Sequence, residues 1–128
     1  MMSTLLRLSA LSCALWAVCL LLFKDIVIAA DQLTPVARGL ANGLGISQVI
    51  LAYLFLSAAR APVDNRFTVQ AAIALMAIRT VNDLYEIISL LPPMEALGSV
   101  LDLIMSVALL VGLLESLPRT FRPTRESE

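Results

Sequence analysis

The residues of this chain best suited to chemistry lie in one short stretch, "AIRTVNDLYEII" (Ala77 to Ile88). It places Arg79, Asn82, Asp83 and Glu86 inside a run that is otherwise lipid-soluble from Phe67 to Leu91. At 100° per residue, Asp83 and Glu86 fall within a narrow arc around Arg79, and Asn82 lies on its flank. A second aspartate, Asp102, stands in the next apolar run. A charge facing lipid at mid-bilayer costs about 2.5–3.5 kcal/mol, so this face must turn inward or line a watery cavity. One positive charge against three carboxylates leaves a formal −2 (1 − 3) on Arg79, Asp83, Glu86 and Asp102. An Arg79–Asp83 pair at i,i+4 is expected to neutralise itself in part. What is left over would attract a proton, a cation or a hydrogen-bonding ligand. The same groups could instead only fix helix register, or meet a partner's helix.

The elements that must position these groups are set by composition. Of 128 residues, 59% are hydrophobic and only 15% charged, against roughly 45–50% apolar in a soluble domain, and the mean hydropathy is +0.89. This is the composition of a membrane protein. Four apolar segments are expected to span, at about 5–23, 39–59, 67–91 and 94–117, each near the ~20 residues that cross a hydrocarbon core. Between them lie "KDIVIAADQLTPVAR", "RAPVDNR" and "PP". Pro92-Pro93 must reverse the chain almost at once, because proline ends one helix and is tolerated in the first turn of the next. The spacing therefore predicts an all-α, four-helix membrane bundle over residues 1–118, followed by a polar tail over 119–128 that frays in water.

The small residues of "VIAADQ" resemble a signal-peptide cleavage site. Segment one is longer than a usual h-region, however, and Lys24-Asp25 interrupts it well before that point, so we expect it to be retained. With four spans, Arg7, Arg60, Arg66, Arg119, Arg122 and Arg125 share one side, against Lys24 and Arg38 on the other. The positive-inside rule then places both termini in the cytoplasm of a multi-pass inner-membrane protein.

Depth follows from the same segments. At 1.5 Å per residue Arg79 sits roughly 18 Å from either end of its helix, with Asp83 and Glu86 climbing towards the outer surface. Asp102, counted down from the Pro-Pro turn, falls about as deep as Asp83. Gln48 reaches a comparable level if its helix starts near Arg38. The expected site is a polar pocket in the outer half of the bundle, built from Arg79, Asn82, Asp83, Glu86, Asp102 and Gln48.

Helices in lipid gain little from hiding apolar surface, so close packing through small residues must hold them together. Gly39, Gly43 and Ser47 form one such stripe on segment two. Ala41, Gly45, Gln48, Ala52 and Ala59 form another on a different side. One stripe could pack within the bundle and the other could meet a second copy or a larger membrane complex. Segment four offers Gly98, Ser99, Asp102 and Ser106 on one side, with Glu95 a layer above.

Several functions are disfavoured. A net charge of −1 lacks the concentrated basic surface that nucleic acid requires. With no histidine and with Cys13 and Cys19 six apart in one helix, neither a metal site, a cofactor such as haem or an iron–sulfur cluster, nor a redox pair is expected. No HExxH, GxSxG or P-loop pattern appears, and "GLANGLG" lacks the preceding strand and the lysine of a phosphate loop. The expected class is a non-enzymatic accessory or assembly subunit with lipid and protein partners. The alternative is a small-molecule or proton-coupled carrier that uses Arg79, Asp83 and Asp102.

The basic loop "AARAPVDNR", the third helix with its inward arginine ("IRTVNDLYE") and a fourth helix after a proline turn give a layout, over about Val36 to Leu117, that resembles DoxX-like and related four-helix proteins of bacterial inner membranes. The resemblance implies a small helical bundle, sometimes an accessory subunit of a membrane redox complex, and carries over no functional residues. Small multidrug exporters resemble the chain less, since their key carboxylate lies in the first helix, which here has no acid before Asp25.

Overall fold

The computed structural model describes residues 1–23, 34–89 and 97–121, the side chains of Ser89, Leu97 and Gly98 excepted. Lys24-Asp25, the "VIAADQ" segment, the Pro92-Pro93 turn, Glu95, the surroundings of Gly98 and the tail from Arg122 onward lie outside them. All regular structure among the described residues is helical: α1 (Met2–Leu22), α2 (Pro35–Ala58), α3 (Arg66–Ser89) and α4 (Leu97–Thr120).

Local chemistry accounts for the helix ends. Thr34 caps α2, its hydroxyl accepting from the Ala37 N–H at 3.1 Å, and Pro35 follows in the first turn, where its missing N–H costs nothing. The Ala59 N–H closes the far end on the Phe55 carbonyl at 2.9 Å. Asn65 stands immediately before α3; its side-chain amide and its backbone N–H both donate to the Ala61 carbonyl, at 2.9 and 3.2 Å, folding the short connection back on itself. The fourth helix continues through Pro118 to Thr120, beyond the expected end of the apolar segment. Pro118 cannot donate to the Leu114 carbonyl. The turn holds because the Thr120 hydroxyl donates to the Ser116 carbonyl at 2.9 Å and the Phe121 N–H to Leu117 at 3.1 Å.

Three helices are long and apolar enough to cross a membrane by length and composition: Met2–Leu22, Pro35–Ala58 and Ser99–Thr120. The third, α3, matches them in length but is not among them, because Arg79, Asn82, Asp83 and Glu86 dilute its apolar character. The most extensive contact is α1 on α2, then α3 on α4; α1 on α4 joins these two antiparallel hairpins.

The core is layered along the helix axes. Near the chain termini it is apolar apart from buried Ser116: Met2, Leu6, Ala10 and Cys13 of α1 meet Phe55, Val69, Ala72, Met76, Leu109 and Leu113. These positions recur at three- and four-residue spacing on each helix, as one buried stripe requires. Followed further, the same stripes turn polar. On α3, Met76 gives way to Arg79 and buried Asp83; on α4, Leu109 gives way to Ser106 and Asp102; on α1, Leu6 gives way to Ser9 and Ser12. Large side chains such as Leu8, Leu15, Leu44, Tyr53, Ile78 and Ile104 point outward. So much exposed apolar surface marks contact with membrane or protein.

Candidate functional site

The polar half of the core is organised around Arg79. Its Nη2 donates to both carboxylate oxygens of Asp102, at 2.9 and 3.0 Å, and its Nη1 donates to Ser12 Oγ at 3.0 Å. The indole N–H of Trp16 donates to Asp102 Oδ1 at 3.1 Å, and the Arg79 guanidinium lies 5.7 Å from the centre of the same indole. Arginine suits this task because its planar fork spreads charge over several donors and also stacks on an aromatic face. Three helices meet here: α1 brings Ser12 and Trp16, four residues apart on one face, while α3 brings Arg79 and α4 brings Asp102. The Arg79 and Asp102 side chains are 12% and 8% exposed, so solvent screens the pair little.

This pairing corrects one expectation. Arg79 does not pair with Asp83 in its own helix; among the described residues its ion pair is with Asp102. Asp102 on the facing helix presents both carboxylate oxygens to the guanidinium, and the long arginine side chain also reaches Ser12 on α1.

A second polar layer joins α3 to α4 alone. The Ser106 hydroxyl lies 3.4 Å from Asp83 Oδ2 and 3.3 Å from Thr80 Oγ1. One turn further, Glu86 accepts from Asn82 at 2.8 Å and from Ser99 at 3.3 Å. Asp83 and Asp102 therefore both lie between the Thr80–Ser106 and Glu86–Ser99 rungs. Asp83 is buried, Glu86 half-buried and Asn82 exposed.

Gln48 is not joined to this cluster. It stands on α2, and its Oε1 is buried without a hydrogen-bond partner among the described residues. The two small-residue stripes of α2 separate cleanly. Ala41, Gly45, Ala52 and Ala59 are buried. A Cβ on Gly45 would stand 2.6 Å from Leu21 Cγ, so glycine is what lets α1 come so near. Gly39, Gly43 and Ser47 face outward; a Cβ at Gly39 or Gly43 would meet nothing within 4 Å, and the Ser47 hydroxyl donates to the Gly43 carbonyl at 2.9 Å.

Two apolar grooves run along the bundle. One, of about 220 Å³, lies between α1 and α4, with Leu8, Leu11 and Leu15 facing Met105 and Leu109 and with Ser12 in its wall. The other, of about 310 Å³, lies between α1 and α2 around Val18, Leu21 and Val49. Neither is lined by Arg79, Asp83 or Asp102. Among the described residues, no group of three or more histidine, cysteine, aspartate or glutamate side chains comes together as a metal would need.

Ser12 and Trp16 are the site residues that the sequence reading missed. The usable signal was the indole itself, since a tryptophan N–H at mid-span needs an acceptor that lipid cannot supply. Compared with protein-family models, curated proteins and solved structures, the chain matches none.

Proposed function

We propose that this chain is a multi-pass inner-membrane protein of non-enzymatic type, an accessory or assembly subunit whose buried ion pair locks its helices together. The observation that carries this reading is the closure of Arg79 on protein groups, with Asp102, Ser12 and Trp16 taking up the guanidinium and leaving the grooves beside them apolar. A ligand pocket would keep such a fork free; a lock uses it up. The same closure supports insertion of α3 despite its charges, because Arg79 and Asp83 are covered by the neighbouring helices while Ile78, Val81 and Ile88 face outward.

The DoxX-like resemblance read from the sequence enters this proposal for its architecture alone. Arg7, Arg60, Arg66 and Arg119 support a cytoplasmic position for both termini. They gather at one end, where the Ser3 hydroxyl donates to the Ala59 carbonyl and Arg66 stacks 5.1 Å from the centre of the Phe121 ring. The outward Gly39/Gly43/Ser47 stripe on α2 is the face we assign to a neighbouring protein helix. Solubilisation from native membranes in mild detergent, followed by affinity capture, is the test. The expected result is co-purification of a second copy or of another membrane chain, lost on Gly43→Leu. A parent protein that runs alone as a monomer overturns the assembly reading.

The carrier reading has one observation in its favour: Asp83 is buried at 6% exposure and, among the described residues, has no ion-pair partner. Ion-dependent or pH-dependent flux in proteoliposomes, lost in Asp83→Asn, would establish it over the assembly role.

A further inference from the structure

Each helix brings one arginine to the same end of the bundle: Arg7 stands on α1, Arg60 just past α2, Arg66 at the start of α3 and Arg119 in the last turn of α4. All four are exposed, and among the described residues none is in an ion pair, although Asp64 and Glu115 are exposed at that end too. The six side chains leave a formal +2 (4 − 2). One of these arginines lies in line with an apolar groove. At 100° per residue, Met105, Ala108, Gly112 and Arg119 fall within an arc of about 60° on α4. Met105 and Ala108 line the groove between α1 and α4, whose other wall is Leu8, Leu11 and Leu15, with Arg7 on the flank of that wall. Leu5, packed on Gly112, continues the apolar surface from the groove towards Arg119. Leu109, also in the lining, is ten residues from Arg119 (119 − 109). That is about 15 Å along the helix, half of the ~30 Å hydrocarbon core.

We infer that this face holds an anionic phospholipid of the cytoplasmic leaflet, with its phosphate on Arg119, Arg7 adding to the local field, and one acyl chain in the α1/α4 groove. A guanidinium fork matches phosphate oxygens, and long arginine side chains reach the headgroup layer while their stems stay against apolar surface. The groove decides what carries the phosphate. A free anion needs only the arginines, whereas leucine, methionine and alanine at hydrocarbon depth fit a chain. The groove's 220 Å³ is less than one turn of a helix about 10–12 Å across, so it suits an acyl chain and not a peptide helix. Glu115, one turn further in than Arg119, opposes the phosphate and weakens its hold. The inference rests on the membrane-spanning reading and is independent of which protein chain, if any, sits on α2.

The test is thermal unfolding of the full-length protein in detergent, followed by circular dichroism, with phosphatidylglycerol, phosphatidylcholine of the same chains, or glycerol phosphate added at constant ionic strength. Phosphatidylglycerol is expected to raise the midpoint saturably and at lower concentration than phosphatidylcholine, and glycerol phosphate to leave it unchanged. Arg119→Gln should raise the half-saturating concentration of phosphatidylglycerol about fivefold, the effect of one basic residue at an anionic surface. Glu115→Gln should lower it. Ala108→Phe, which fills the groove without changing charge, should raise it as well, and Arg60→Gln, which removes the same charge beside α2, should change it less than about twofold. Equal half-saturation by the two lipids overturns the inference, as does a midpoint raised by glycerol phosphate alone, an equal loss in Arg60→Gln and Arg119→Gln, or a response untouched by Ala108→Phe. If neither lipid stabilises the protein at all, the membrane-spanning reading falls with it; if both do so equally, that reading stands and the site alone is lost.

Discussion

Removing the charge of Asp102 while keeping its shape should release the joint between the two hairpins. In Asp102→Asn one side-chain oxygen remains, enough to accept the Trp16 N–H now held at 3.1 Å, but the two-oxygen grip on Arg79 at 2.9 and 3.0 Å is lost. Breaking a buried pair by removing one partner costs about 3–5 kcal/mol, much of it the penalty of leaving the other charge buried alone. Arg79 keeps Ser12 and the indole face, so we place the loss at the lower limit, about 3 kcal/mol. Arg79→Met leaves a buried carboxylate with the Trp16 N–H as its hydrogen bond and should cost about as much. The double variant removes both charges and retains the Trp16 bond, and so should lie within about 2 kcal/mol of the parent.

The coupling between the two positions should then be at least about 4 kcal/mol. Unfolding titrations in mixed micelles measure it, read by circular dichroism and by the emission of Trp16, the one tryptophan of the chain. Additive losses, with a coupling below about 0.5 kcal/mol, would mean that the guanidinium and the carboxylate do not depend on each other, and the lock would have to be abandoned.

Other expectations follow from single contacts. Trp16→Phe retains an aromatic ring beneath Arg79 but deletes the N–H to Asp102, and should lose about 2 kcal/mol in the same titration, the range for a hydrogen bond to a charged group. Gly45→Val drives a side chain into Leu21 and should destabilise by about 1–3 kcal/mol, whereas Gly43→Ala, with open space around it, should be neutral or gain up to about 1 kcal/mol from helix propensity. Equal losses at Gly43 and Gly45 would contradict the assignment of outer and inner stripes. Reporters that fold only in the cytoplasm should be active when fused to either terminus; activity at one end alone would refute an even number of spans.

What the sequence made legible, and what it did not, divides along a physical line. Helices were legible because an apolar run has few other ways to satisfy its backbone in lipid. The common face of Arg79, Asp83 and Glu86 was legible because 100° per residue is a property of the backbone. The pairing was not, since an angle gives a direction and says nothing of reach. Arginine can pass its neighbour at i+4 to grip a carboxylate on another helix, and it does so because Asp102 offers two oxygens while Ser12 and Trp16 complete the ring of partners. Depth along α2 likewise does not say which neighbour the Gln48 side chain turns towards. The first helix went unnoticed because a serine and a tryptophan four residues apart look like ordinary packing until the indole N–H is asked for its acceptor. That omission hid the division of labour between two similar aspartates. The α1 partners commit Arg79 to Asp102, so the structure separates an acid in an ion pair between helices from one, Asp83, that accepts from the Ser106 hydroxyl and, among the described residues, has no ion-pair partner.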